Sequence, residues 1–193
     1  MTRAKTCRIC REKFIPTRGI QPVCEKFACN VTFATAAAEK AVKARKAAER
    51  KKLAGRREGT KRKSDLMKEA QAAFNAFIRA RDLAAGHPCI CCGNPFEPQR
   101  PGGSVDAGHY LSVGSAYHLR FDERNCHAQR KSCNRPGGTS RAAFRAGMIE
   151  RIGFEAVESL EADQTERRYR ADDLREIRGL YREKLRRLRR VTN

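Results

Sequence analysis

No stretch of about 20 apolar residues, the length needed to span a bilayer, occurs in this 193-residue chain. No lipid-anchoring pattern accompanies its charge either, so no membrane partner is expected. The opening run, Met1-Thr-Arg-Ala-Lys-Thr-Cys7, enters cysteines without the apolar segment of a secretory leader, and a cytoplasmic location is expected. No internal repeat is present. Acidic residues are scarce, 22 Asp and Glu against 42 Lys and Arg, which leaves a net charge of +20.

That excess is uneven. Residues 1–63 hold 19 Lys and Arg against 5 Asp and Glu, whereas residues 64–140 hold 9 against 7. A chain this basic at one end points to a polyanion, and nucleic acid is the commonest, because each neutralised phosphate releases counterions. Nine cysteines in a reducing compartment read as metal ligands rather than disulfides.

Composition separates four segments. Residues 1–33 carry four cysteines among turn residues Pro16, Gly19 and Pro22. Residues 34–63 are almost only Ala, Lys, Arg and Glu, which predicts a solvated basic helix fading near Gly55 and Gly59 into a linker. Its Lys43, Arg45, Lys46, Arg50, Lys51, Lys52, Arg56 and Arg57 are candidate phosphate contacts. Residues 64–165 should form the working core. Ser64 is placed to cap a helix whose Leu66, Ala70, Ala73, Phe74, Phe77 and Ile78 share one face. Phe144, Met148, Ile149 and Ile152 predict another helix, stopped at Gly153, and Phe154, Val157 and Leu160 a short third. Residues 166–193 predict an Arg-rich amphipathic helix beginning at Asp172, with Leu174, Ile177, Tyr181, Leu185 and Leu188 along one side.

The cysteines fall into two sets. Cys7-x2-Cys10 with Cys24-x4-Cys29 offers four thiolates for tetrahedral zinc. About thirty residues bury too little core to fold alone, so metal binding would supply folding energy. In the second set, Cys89-x2-Cys92-Gly93 reads as a zinc knuckle completed downstream by Cys133. The fourth ligand is open: Cys126 comes first, with Cys91 or His127 behind it.

Between these pairs lie Asp106-Ala-Gly-His109-Tyr110 and the run from Arg120 to Asn134, which includes Asn125, His127, Arg130 and Lys131. Phosphodiester hydrolysis needs a base to activate water and a cation to stabilise developing charge. Asp106 and Asn134 offer oxygens to a hard ion such as Mg²⁺ or Mn²⁺, and His109 offers an imidazole that titrates near neutrality. Arg120, Arg130 and Lys131 could contact phosphate.

The motifs Pro88-Cys89-Ile-Cys-Cys92-Gly93, Asp106-Ala-Gly-His109-Tyr110, Leu119-Arg-Phe121, Glu123-Arg-Asn125 and Cys133-Asn134 resemble the NinG (Rap) recombination endonucleases of lambda-like phages. The likeness extends through Arg151-Ile-Gly153 and back through Gln71 to Arg79 to the N-terminal cysteines. It implies an α+β protein: a zinc-stabilised ββα-metal (HNH) core packed with helices, an N-terminal zinc knuckle, and two structural Zn²⁺ ions. It implies cleavage of branched DNA, including Holliday junctions and D-loops. Under the resemblance His109 is the general base, Asp106 and Asn134 hold the catalytic ion, Asn125 fixes the loop carrying the base, and His127 is an alternative metal ligand or phosphate contact. The family usually carries a cysteine where this chain has Arg130, which is why Cys126 enters the zinc set. Two symmetric nicks would suit a homodimer, in a bacterial host cytosol. The alternative reading is a zinc-ribbon nucleic-acid-binding protein without catalysis.

Overall fold

The computed structural model describes residues 3–96 and 104–192. Contacts divide the chain into two units, Met1–Lys61 and Arg62–Asn193.

In the first unit, strands β1 (Lys5–Thr6) and β2 (Lys13–Phe14) form a small antiparallel ribbon. Helix α1 follows (Phe27–Gly59). The core is little more than Cys7, Val23, Cys24 and Cys29, with Cys10, Phe14 and Phe33 packed beside it. The basic helix begins earlier than residue 34, inside the cysteine segment, and runs unbroken through Gly55. Cys29 lies in its first turn and is its one buried residue. A single glycine costs about 1 kcal/mol in a helix, too little to break a run of strong helix formers.

The second unit is built around one hairpin, β3 (Val105–His109) with β4 (Cys126–Arg130). Its register sets Asp106 opposite Gln129, Gly108 opposite His127 and His109 opposite Cys126. Side chains alternate along a strand, so the hairpin has two distinct faces, and each is covered. Helix α2 (Lys63–Ala84) packs with α5 (Ala171–Thr192) over one face. Phe74, Ile78, Phe121, Cys126, Tyr169 and Tyr181 are buried there, and Ala107 packs against them. Over the other face lie Ile90, Tyr110 and Leu119, with α3 (Arg141–Ile152) and α4 (Phe154–Ala162).

Helical periodicity is the reliable signal. All six expected apolar residues of α2 are buried. The α5 stripe packs inward through Leu174 and Tyr181, with Ile177 and Leu185 partly buried. Tyr181 meets Phe74 edge-on at 4.8 Å and donates to the Phe121 carbonyl at 3.0 Å. Ser140 caps α3 by accepting the Ala143 N–H. Ser64 caps nothing: α2 begins at Lys63, and its first turn is closed by the Arg62 carbonyl. Among the described residues the class is mixed α+β, with five α-helices and two two-stranded sheets. No helix among them is long and apolar enough to cross a membrane.

Candidate metal centres

The ribbon turn and the start of α1 bring Cys7, Cys10, Cys24 and Cys29 together, with their sulfurs all within 4.8 Å of one another. The Cys24 N–H points at Cys7 Sγ at 3.3 Å, and Cys10 and Cys24 Sγ are 3.7 Å apart. Burial works to raise the Cys7 thiol, but backbone N–H groups of Cys24, Cys10 and Ile9 outweigh it and hold the group down to about 6. Cys29 goes the other way, up to about 12, by burial and the neighbouring sulfurs. Four crowded thiols cannot all ionise alone, and a cation would release their protons. This donor set fits tetrahedral zinc.

The second cluster joins Cys89, Cys92 and Cys133, again within 4.8 Å. The chain turns behind it at Gly93, whose φ of +67° suits glycine. Cys89 is held down to about 4, chiefly by a hydrogen bond from Cys91 and then by the N–H groups of Arg130, Cys91 and Cys92 against its burial. Three of zinc's four positions are thus provided. Cys126, the expected fourth ligand, is elsewhere. Its β4 parity turns it into the α2 face, where it is fully buried and 3.7 Å from His109 Nδ1. Burial pushes that thiol up. His127 is no ligand of this cluster either. It is buried at the outer edge of β4, its Nε2 2.9 Å from the Arg124 carbonyl and its Nδ1 3.3 Å from Arg81 Nη2. Burial holds it down to about 4, against the pull of Asp82. It lines a separate cleft of about 230 Å³ with Arg81, Arg124 and Arg151. Cys91 touches Cys89 without joining the shared sphere.

Asp106 and Asn134 do meet. Asn134 follows Cys133 in the turn after β4, and its Nδ2 lies 3.3 Å from Asp106 Oδ2. Its Oδ1 then faces the bare Cα of Gly108, 3.2 Å from where a β-carbon would stand. The adjoining cleft, about 340 Å³, is lined by His109, Tyr110, Gln129, Asn134, Arg135 and Arg141 among others. Two side-chain oxygens beside a turn held by thiolates fit a hard divalent ion.

His109, the expected general base, ends β3. It follows Gly108, so its ring leaves the strand from the opposite face to Asp106. There it lies 5.9 Å from the Phe74 ring, with Nε2 2.9 Å from the Arg120 carbonyl. Burial pushes it below the ordinary imidazole value, partly offset by that carbonyl. Asn125 closes the short turn Glu123–Asn125 just before β4. It is fully buried and ties the loop between the strands to β4 through Leu111 and Leu119.

The eight basic candidates of α1 are all exposed. Arg120 is engaged internally, donating to Gln71 and lying over the Tyr117 ring. Arg130 lends its N–H to Cys89 Sγ at 3.2 Å, and Lys131 donates its own N–H to the Ser104 carbonyl. Sequence reasoning missed Gln129 and Asp82. Asp82 is buried and accepts from Ala128 N and from Arg81 and Arg151. The signal for Gln129 was its parity with Asp106, which needs the strand register.

The family model described as Bacteriophage Lambda NinG protein matches residues 1–191. This chain belongs to the NinG family. Protein ninG of Escherichia phage 933W is 36% identical over 199 residues, covering 96% of this chain and 94% of that protein. The NinG proteins of Salmonella phage P22 and Escherichia phage lambda are 41% and 39% identical over 138 residues, covering 72% of this chain and 64% of each. No solved structure matches the chain. The cysteine clusters, the Asp106–Asn134 contact and the Asn125 clasp are therefore features of a NinG family member.

Proposed function

We propose that this NinG family protein is a metal-dependent endonuclease of the HNH type, acting in the host cytoplasm on branched DNA such as Holliday junctions and D-loops. The reading rests on the Asp106–Asn134 contact beside a thiolate-held turn. The β3–β4 hairpin, the Cys133-Asn134 turn and α3 follow the order of a ββα-metal site. A divalent ion held there would stabilise charge on the phosphate and on the departing 3′-oxygen. Asp106 and Asn134 would hold that ion. Arg135 and Arg141 line the adjoining cleft, where a phosphate can be held. His109, neutral near pH 7 because of its burial, is the proton acceptor for the attacking water. The Arg120 carbonyl at Nε2 holds its ring in place. The exposed cations of α1 supply affinity without sequence choice, and two nicks on one junction would suit a homodimer.

The orientation of His109 favours a second reading, a zinc-stapled nucleic-acid-binding protein without catalysis. Cleavage and gel-shift assays on a four-way junction with Mg²⁺ separate the two. Cutting by the wild type, lost in both Asp106→Ala and His109→Ala with binding retained, supports the nuclease. Loss in Asp106→Ala alone removes His109 from the chemistry. Binding without cutting by the wild type supports the second reading.

A further inference from the structure

We propose that Gln129 supplies a third oxygen to the cation site of Asp106 and Asn134, with Cys91 holding its amide in the ligating orientation. The inference rests on the cation site of the proposed function and adds a residue to it.

Three observations converge. First, Gln129 faces Asp106 across the ladder, so both side chains leave the hairpin on the same side. Second, Gln129 is only 2% exposed, and its Nε2 donates to Cys91 Sγ at 3.0 Å. An amide has one donor end and one acceptor end. Tying Nε2 to sulfur turns Oε1 the other way. Third, Oε1 lies 1.9 Å from where a β-carbon on Gly108 would stand. Asn134 Oδ1 is 3.2 Å from the same point. Gly108 is thus a cradle that only a residue without a side chain can form, and two amide oxygens close in over it.

Gln129 lines the same cleft as Asn134, so its oxygen is open to a cation there. Three protein oxygens, from β3, β4 and the Cys133 turn, would hold such an ion. The remaining positions would stay open to water and phosphate, the usual habit of Mg²⁺ and Mn²⁺. Cys91 has a place in this scheme without being a zinc ligand. It links the zinc-knuckle turn to the oxygen site, and so couples the two centres.

The test is Mn²⁺ binding to the full-length, zinc-loaded protein, followed by the loss of the free-ion paramagnetic resonance signal. Zinc content and circular dichroism are recorded for every variant. Gln129→Met keeps the length but removes the oxygen and should weaken Mn²⁺ binding about tenfold, the usual scale for disturbing a metal's surroundings. Gln129→Glu adds charge and should tighten it. Cys91→Ala should weaken it, because the amide is released. Wild-type affinity in both Gln129 variants, with binding lost in Asp106→Asn, would overturn the role of Gln129 and leave the cation site standing. Equal binding by the wild type and Asp106→Asn would overturn the site itself. If Gln129→Met misfolds, Gln129→Glu decides: unchanged or weaker binding rejects the inference.

Discussion

The Asn125 carboxamide clasps Leu111 at both ends, accepting its N–H at 2.8 Å and donating to its carbonyl at 3.0 Å. Its Nδ2 also reaches the Leu119 carbonyl at 3.3 Å. One side chain therefore closes the loop between β3 and β4. That loop carries the Arg120 carbonyl that holds His109. Asn125→Ala should cost about 2 kcal/mol, because buried backbone groups lose their partners. Thermal unfolding would read this as a lower Tm. Any junction cleavage should fall further than the stability loss explains.

Zinc content tests the corrected ligand set. The wild type should carry two zinc ions per chain. Cys133→Ser should lose one, and Cys7→Ser the other. Cys126→Ala should keep both and lose only about 1 kcal/mol through the small cavity it leaves. Loss of a zinc ion from Cys126→Ala would return that sulfur to the metal shell. Chelation should unfold the ribbon of residues 3–24 first, because its core is largely cysteine.

Asp82 holds the outer edge of β4. It accepts the Ala128 N–H at 2.6 Å and neutralises Arg81 and Arg151. Asp82→Ala leaves the Ala128 N–H without its acceptor and takes a carboxylate from Arg151 and from Arg81, which keeps Glu123, and should cost about 1–3 kcal/mol in urea unfolding. Asp82→Asn keeps one acceptor and should cost less. If Asp82→Ala were neutral, the network would contribute nothing to stability.

Electrostatic binding through α1 predicts a salt signature. Replacing Arg45, Lys46, Lys52 and Arg56 together by Gln should weaken junction binding at low salt. It should also flatten the plot of log K against log salt by about 0.9 for each phosphate that is no longer neutralised. Fluorescence anisotropy across a salt series measures both. The weakening should be alike for junctions of different sequence, because phosphate-directed cations carry no base readout.

Local patterns carry much of the fold. The α2 face from Leu66 to Ile78 is legible because helical packing repeats with the turn of the helix. Cys89 to Gly93 is legible because a knuckle is a single tight turn. The early start of α1 is not, because Cys29 binds its first turn into a cluster made with distant Cys7 and Cys10. Cys126 misleads for a similar reason. It lies four residues, about one helical turn, before the Arg130 position where the family carries a cysteine, but it opens a strand.

Residue types and short spacings alone determined the basic arm, the two thiolate sets, the helical faces and the presence of Asp, His and Asn in one segment. Only the tertiary structure decided which of these side chains meet. In a hairpin a shift of one residue moves a side chain to the other face. That parity joins Asp106, Gln129 and Asn134 over Gly108, and turns His109 and Cys126 toward Phe74. The register comes from helices packed on both sides of the strands, and no spacing along the chain encodes it.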